Sequence, residues 1–161
     1  MSEHVEKTFV ALKPDAVKRG LVGKITTRFE EAGFKICGMK MVQATDQLLE
    51  KHYEEHVDAP FYSELVEVMQ SGPVIAMVVE GVHAAKNMRK IVGDTDATEA
   101  SPSTIRGRYG HMSMEHADSS GSNYKNLVHA AEPGEQEREI EIWFNEDELN
   151  DYTHTDQKEV T

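Results

Sequence analysis

The sequence has 161 residues, enough for a single domain folded around one hydrophobic core. Hydrophobic residues make up 39% of it and 11 more residues are glycine, a composition typical of globular proteins that excludes a wholly disordered chain. Its 29 acidic and 17 basic side chains give a net charge of −12, which argues against binding nucleic acid through the overall electrostatic field.

The negative charge is concentrated near the C-terminus. Residues 132–161 carry 11 acidic and 2 basic side chains, whereas the rest of the chain is nearly balanced. We interpret residues 1–161 as one domain with an acidic, poorly ordered tail from about residue 150. The N-terminus is polar, there is no run of about 18 apolar residues, and the only cysteine, Cys37, permits no intramolecular disulfide. We therefore expect a cytoplasmic protein with no membrane partner.

The first half of the chain alternates predicted strands and helices. Residues 8–12 (TFVAL) form an apolar, partly β-branched run typical of a buried strand. Apolar residues then recur at helical spacing over residues 21–32, and residues 34–43 predict a second strand. Thr45 can cap the next helix, which carries Tyr53.

The second half continues this alternation. Residues 62–69 predict a helix, and residues 74–79 (VIAMVV) are the longest apolar run, which predicts a central strand. Polar composition and the lack of a clear period predict surface loops at two segments. In chain order, the remaining predictions are a helix at residues 82–92, a loop at 94–103, a loop at 111–122, a strand at 127–130 and a helix at 135–144.

This order of elements leaves two architectures open. Alternating strands and helices usually build a parallel, doubly wound sheet. Four short strands also suit a smaller βαββαβ sandwich, and the periodicity does not separate the two.

The candidate nucleophile is His129, which a short apolar strand delivers directly before Ala130 and Ala131. Small neighbours leave a ring nitrogen accessible, and a neutral imidazole is a competent nucleophile near pH 7. A carboxylate on the second nitrogen would fix the tautomer, and Glu139 is the candidate. The alternative for such a histidine is a solvated strand end.

Other polar residues suggest an anion site and, more weakly, a metal site. Arginine and lysine side chains bind phosphate well through charge-assisted hydrogen bonds. Thr95 lies in a predicted loop between two arginines of the sequence, Arg89 and Arg106. His52 and His56 have the helical spacing of a metal-binding pair, but no third ligand is evident, so we expect no metal held by the protein. We expect His111 and His116 to be solvated. The candidate phosphate-binding cluster consists of Lys13, Arg89, Thr95 and Arg106.

Taken in order, the sequence segments resemble the nucleoside diphosphate kinase family. The segments are TFVALKPDAVKRGLVGKI, HY, PF, SGPVIAMVVEG, GDTDATEASPSTIRG, NLVHA and EREIEIWF, and they span about residues 7–150. The resemblance implies an α+β, ferredoxin-like βαββαβ sandwich with a four-stranded antiparallel sheet. It also implies ping-pong transfer of the terminal phosphoryl group of a nucleoside triphosphate to a nucleoside diphosphate through a phosphohistidine.

The resemblance assigns roles by position. The reacting histidine falls on His129, the group that orients it on Glu139, the nearby tyrosine on Tyr53 and the base-stacking phenylalanine on Phe61. ATP and other nucleoside tri- and diphosphates are the implied ligands, with Mg²⁺ carried by their phosphates. A homohexamer is implied, with a tetramer as the alternative. The implied phosphate contacts are Lys13, Arg89, Thr95, Arg106 and Asn126.

The sequence departs from the family pattern around the histidine. Ala130, Ala131 and Glu132 replace the usual Gly-Ser-Asp, so the assisting serine hydroxyl is missing. Arg108 replaces an aspartate, about ten extra residues precede Asn126, and the step from the histidine to the glutamate is one residue short. These departures motivate an alternative, a catalytically weak or silent nucleotide-binding or assembly protein on the same fold. The excess of acid predicts adaptation to high salt, which screens repulsion between charges.

Overall fold

The computed structural model describes residues 3–155, which form four strands and eight α-helices. Two short 3-10 helices, Glu54–His56 and Glu146–Glu148, complete the elements of this part of the chain. The strands are β1 (Val5–Leu12), β2 (Lys35–Val42), β3 (Val74–Val82) and β4 (Val128–Ala130). The helices are α1 (Pro14–Lys18), α2 (Val22–Glu31), α3 (Asp46–His52), α4 (Tyr62–Gln70), α5 (Ala84–Val92), α6 (Ile105–Tyr109), α7 (Met114–Ser120) and α8 (Gln136–Trp143).

The strands form one sheet in the order β2-β3-β1-β4, and every neighbouring pair is antiparallel. The interpretation of the alternation as a parallel, doubly wound sheet is therefore wrong. The connection from β1 to β2 leaves a gap between these two strands, and β3 fills that gap in the opposite direction. The α+β, ferredoxin-like arrangement is confirmed, and β3 is one of the two central strands, as its apolar run predicted.

The hydrophobic core has two parts, one on each face of the sheet. Alternate residues of β1 serve the two parts: Leu12 packs with α2 and α5, and Phe9 packs with α3, α4 and α8. Because both faces are covered, residues 9–12 of β1 and 74–79 of β3 are continuously apolar and buried instead of alternating with polar residues. In the part of the chain that the structure describes, no helix is both long enough and apolar enough to span a bilayer.

One predicted loop contains a helix. Within residues 111–122, α7 begins after Ser113, whose side chain accepts a hydrogen bond from His116 N at 2.9 Å. The helix ends at Gly121, where φ is 71°, and Ala117 is buried beneath it. The loop interpretation is wrong for this part, because one apolar contact in a seven-residue helix gives too weak a period to detect.

The acidic tail, predicted to be poorly ordered from about residue 150, contacts the sheet through its first residues. We call residues 149–152 the C-terminal strap, because this segment crosses the edge strand β2. Asn150 N donates to Cys37 O at 2.8 Å, and Tyr152 Oη donates to Ile36 O at 2.6 Å. The β2–β3 register skips Cys37, so its carbonyl is available to the strap. Of the predicted tail, residues 156–161 lie outside the described residues.

Lys35 connects the strap to the sheet. Its Nζ lies 3.1 Å from Glu80 Oε1 on β3 and donates to Tyr152 O at 2.5 Å. Asp151 Oδ1 lies 3.7 Å from the same nitrogen. The side chains of Lys35 and Glu80 are 7% and 4% exposed, so each charge depends on the other for compensation.

We expect Lys35→Met to lower the free energy of unfolding by about 2 kcal/mol, because it leaves the Glu80 carboxylate buried without its cation. Urea denaturation at constant salt measures the change. Lys24→Met, at an exposed position, is the matched control and should change stability by less than about 0.5 kcal/mol. Adding Glu80→Met to Lys35→Met should recover at least half of the loss. A double variant as unstable as Lys35→Met would contradict this account.

Candidate active site

His129 lies in the middle of β4, directly opposite Ala11 on β1. Two hydrogen bonds fix the entry to this short strand: Lys13 N donates to Leu127 O at 2.8 Å, and Leu127 N donates to Asp15 Oδ2 at 3.0 Å. Leu127 has a φ of 73°, a conformation that leucine rarely adopts without such support. The His129 side chain is 24% exposed, so the strand presents it at the surface of a cleft.

Glu139 on α8 holds one nitrogen of this ring. The His129 Nε2 and Glu139 Oε1 atoms are 2.5 Å apart, although the spacing between the two residues is one short of the family pattern. An ionised carboxylate only accepts hydrogen bonds, so Nε2 carries the proton. Nδ1 therefore carries the lone pair that a nucleophile needs.

The surroundings keep the imidazole neutral. Burial and then the charges of Lys13 and Arg106 lower the pKa of His129 below its ordinary value. Burial also raises the pKa of Glu139. At neutral pH the ring is therefore uncharged, which is the nucleophilic form of imidazole.

Main-chain carbonyl oxygens, not carboxylates, hold the two arginines of the site. Arg106 donates to Val128 O at 2.5 Å, to Gly93 O at 3.0 Å and to Asn126 O at 3.2 Å. Arg89 donates to Ala130 O at 2.9 Å. Within residues 3–155 neither arginine forms an ion pair, so both charges remain available to an anion.

Lys13 and Asn126 lie beside these arginines. Lys13 Nζ donates to Asn126 Oδ1 at 2.8 Å, and Asn126 Nδ2 donates to Thr95 O at 3.0 Å. Burial and then Arg106 lower the pKa of Lys13 to about 8. The pKa of Arg106 falls to about 10, through burial and the charge of Arg89. This crowding of buried cations favours a ligand that brings negative charge.

Tyr124 supports the site from outside the cleft, and the sequence did not reveal it. Its hydroxyl donates to Thr95 O at 2.6 Å and accepts from Ala97 N at 3.0 Å. Met114 N, at the start of α7, donates to Asp96 Oδ2 at 3.1 Å in the same loop. The extra residues before Asn126 therefore support the loop that carries Thr95. No local pattern could have indicated contacts across such a sequence distance.

His52 is the second unpredicted site residue. It ends α3, is buried, and its ring centroid lies 4.6 Å from that of His129 at an interplanar angle of 79°. Trp143 Nε1 donates to His52 Nδ1 at 3.0 Å. His56 instead lies exposed in a 3-10 helix, with its ring centroid 5.3 Å from that of Phe61. The two histidines of the metal-like pattern therefore have different surroundings.

One group in the described part of the chain has the composition of a metal site. The ligand atoms of His52, His129 and Glu139 lie within 4.8 Å of one another. Hydrogen bonds already occupy these atoms, from Trp143 to His52 and between His129 and Glu139. Two separate hydrogen bonds thus hold these three side chains, one between His129 and Glu139 and one from Trp143 to His52.

All nine predicted site residues line one cleft with a volume of about 480 Å³, within the range of ligand pockets. Phe61 is 46% exposed at this cleft, and burial raises the pKa of Tyr53 to about 12, so its phenol stays protonated. A second depression of about 450 Å³ is lined by Arg28 and Lys90 but by no histidine or carboxylate. The histidines and carboxylates that line the candidate site, and not its volume, therefore distinguish it from this depression.

Comparisons with known proteins agree with this geometry. The family model for nucleoside diphosphate kinase matches residues 6–149. A nucleoside diphosphate kinase of Natronomonas pharaonis is 46% identical over 154 residues, which cover 94% of each chain.

Two solved structures extend the agreement to the fold. A halophilic nucleoside diphosphate kinase from Halobacterium salinarum in complex with CDP has a TM-score of 0.87 and 43% identity, covering 98% of this chain and 99% of the other. A transition state mimic of the kinase from Borrelia burgdorferi, with bound vanadate and ADP, has a TM-score of 0.92 and 35% identity over 98% of both chains. The chain described here therefore belongs to the nucleoside diphosphate kinase family.

Proposed function

We propose that this phosphotransferase works by a ping-pong mechanism in which His129 carries the phosphoryl group. The hydrogen bond between His129 Nε2 and Glu139 Oε1 is the observation that supports it most directly, because it leaves the lone pair on Nδ1. The relatives solved with CDP and with vanadate and ADP support nucleotides as the substrates.

In the first half-reaction, His129 Nδ1 attacks the terminal phosphorus of a nucleoside triphosphate. The new N–P bond forms as the bond to the bridging oxygen breaks, and the nucleoside diphosphate leaves with that electron pair. The positive charge that develops on the ring is stabilised by Glu139, while the proton stays on Nε2. In the second half-reaction, a terminal oxygen of another nucleoside diphosphate attacks phosphorus and His129 is released.

The cationic side of the cleft binds the phosphates. Lys13, Arg89 and Arg106 offer charge, while Asn126 and Thr95 offer amide and hydroxyl groups. We propose that Mg²⁺ enters with the nucleotide, because the groups around the expected phosphates are cations and amides instead of a carboxylate cage. Its chemistry there is to neutralise phosphate charge.

The rest of the cleft binds the nucleoside. Phe61 offers an exposed aromatic face on which a base can stack, and stacking of this kind tolerates different bases. Tyr53, whose phenol stays protonated, can donate a hydrogen bond near the reacting groups. Because stacking on Phe61 tolerates different bases, the enzyme should use a broad range of nucleoside tri- and diphosphates.

The alternative of a catalytically silent protein is not favoured. A silent nucleotide-binding protein has no need of a neutral histidine whose tautomer is fixed, yet His129 and Glu139 form that pair. The absence of a hydroxyl at Ala131 removes one assisting group and leaves the pair in contact.

We also propose that the enzyme is a cytoplasmic homo-oligomer, a hexamer with a tetramer as the alternative. The β2 strand is at the edge of the sheet, and its Met39 and Met41 side chains are 47% and 62% exposed. Large apolar side chains on an exposed edge favour burial against another protein surface. This exposure supports association between copies of the chain but does not determine the number of subunits.

We expect His129→Ala to lower phosphoryl transfer at least about 1,000-fold, because no other group can carry the intermediate. His111→Ala, at an exposed position outside the cleft, is the matched control and should retain activity. Intact mass after incubation with ATP and magnesium should show one added phosphoryl group in the wild type and in the control only. Peptide mapping under alkaline conditions that assigns the label to another residue would overturn the mechanism.

We expect Tyr124→Phe to raise the KM for nucleotides about five- to tenfold, because the Thr95 loop loses two hydrogen bonds. The kcat should change less than about twofold, since the hydroxyl does not touch His129. Tyr109→Phe is the control. A fall in kcat with an unchanged KM would show that Tyr124 acts on the chemical step instead.

We expect stability and assembly to increase with potassium chloride from about 0.1 to 3 M, because salt screens the repulsion between acidic side chains. Thermal unfolding and sedimentation measure both. Replacing the exposed Glu137, Glu141 and Asp147 with amides should reduce the salt response, whereas amides at Glu30, Glu31 and Glu67, an equal change of charge in the body, should have a smaller effect. Equal stability of the wild type at both salt concentrations would reject salt adaptation.

A further inference from the structure

Two imidazoles lie close to one carboxylate oxygen in this site. Glu139 Oε1 lies 2.5 Å from His129 Nε2 and 3.9 Å from His52 Nδ1. A shift of about 1 Å would bring His52 Nδ1 within hydrogen-bond distance of the same oxygen. Either ring could therefore compete for Glu139 if each had a proton to donate.

The tautomer of His52 decides this competition. A neutral histidine carries its proton on one ring nitrogen only, and the other nitrogen is an acceptor. Trp143 Nε1 is a donor without acceptor capacity, and it lies 3.0 Å from His52 Nδ1. A proton on Nδ1 would bring two donors face to face, so His52 must carry its proton on Nε2.

The indole itself is held firmly. Trp143 is 3% exposed at the end of α8 and stacks on Phe9 of β1, with ring centroids 5.2 Å apart. Burial is the largest of the causes that lower the pKa of His52 to about 3, so His52 does not gain a second proton near neutral pH. Arg138 and Lys13 act in the same direction, and Glu139 opposes them.

We propose that Trp143 and His52 are positioning residues: the indole N–H occupies His52 Nδ1 and thereby reserves the Glu139 carboxylate for His129. Neither residue touches the phosphoryl group in this account. They act through the hydrogen bond that keeps the proton of His129 on Nε2. Ala131, which is buried and has no hydroxyl, offers Glu139 no alternative partner at this position. The proposal rests on the proposed role of His129 as the phosphoryl carrier.

Trp143→Phe tests the proposal, because it retains an aromatic ring against Phe9 and removes the N–H. His52 can then donate through Nδ1 to Glu139, so the rate at which ATP phosphorylates His129 should fall at least about tenfold. The KM for nucleotides should change less than about twofold, since the phosphate and base contacts are untouched. Phe144→Leu, at the next buried aromatic residue, is the control for general disturbance of α8 and should retain the rate within about twofold.

The decisive comparison adds His52→Phe to Trp143→Phe. This second change removes the competing donor and keeps a ring beside His129, so the double variant should phosphorylate at least about fivefold faster than Trp143→Phe alone. A purely structural role of Trp143 predicts no rescue, and further loss. Failure of the rescue, or wild-type rates in Trp143→Phe, would overturn the proposal.

Solid-state ¹⁵N NMR of histidine-labelled wild-type enzyme tests the same proposal without any variant that might fail to fold. Without nucleotide, His52 should be protonated on Nε2 with Nδ1 as an acceptor, and His129 should be protonated on Nε2. A proton on His52 Nδ1 would overturn the proposal even if His129 is the phosphoryl carrier. Conversely, a phosphoryl group mapped to another residue would refute the proposed function and leave the tautomer measurement valid.

Discussion

The antiparallel pairing of β1 with its two neighbours is the constraint on which the site depends. β1 pairs along its whole length with β3 and, through its last three residues, with β4. Because β1 ends at Leu12 while β4 passes in the opposite direction, Lys13 and His129 emerge at the same end of the sheet. His129 and Lys13, which come from opposite ends of the sequence, are thus brought together by the central strand β1.

The electrostatics of the cleft follow from the kind of partner that each charge has. Carbonyl oxygens orient Arg89 and Arg106 without cancelling their charge, whereas a carboxylate orients His129. Positive potential is therefore retained in the cleft, and within residues 3–155 the carboxylate that hydrogen-bonds to His129 is that of Glu139. The acid-rich C-terminal region contributes Glu132, Glu135 and Glu139 to the lining of the same cleft.

The four strands and most residues of the candidate site were predicted from the sequence. The features that were missed depend on contacts between distant segments or lack a local sequence pattern. Apolar runs gave all four strands, and residue type together with position in turns gave His129 and the cations. The alternation of strands and helices could not predict strand direction. A parallel, doubly wound sheet and the observed antiparallel sheet have the same order of elements, and the position of β3 between β1 and β2 distinguishes them. Tyr124 and His52 were missed because their contacts, with Thr95 and with Trp143, join distant segments. Short helix α7 and the C-terminal strap were missed for lack of a local period.

The C-terminal strap has a consequence for biosynthesis. The edge of β2 is covered near Ile36 and Cys37 by residues that follow it by more than a hundred positions, as the bond from Asn150 to Cys37 shows. While the polypeptide is being translated, β2 can pair with β3 long before the strap has left the ribosome. Until then the carbonyls of Ile36 and Cys37 lack the hydrogen bonds that the strap supplies, and they can accept hydrogen bonds from neighbouring nascent chains. Closure of this edge is therefore among the last steps in the maturation of the fold.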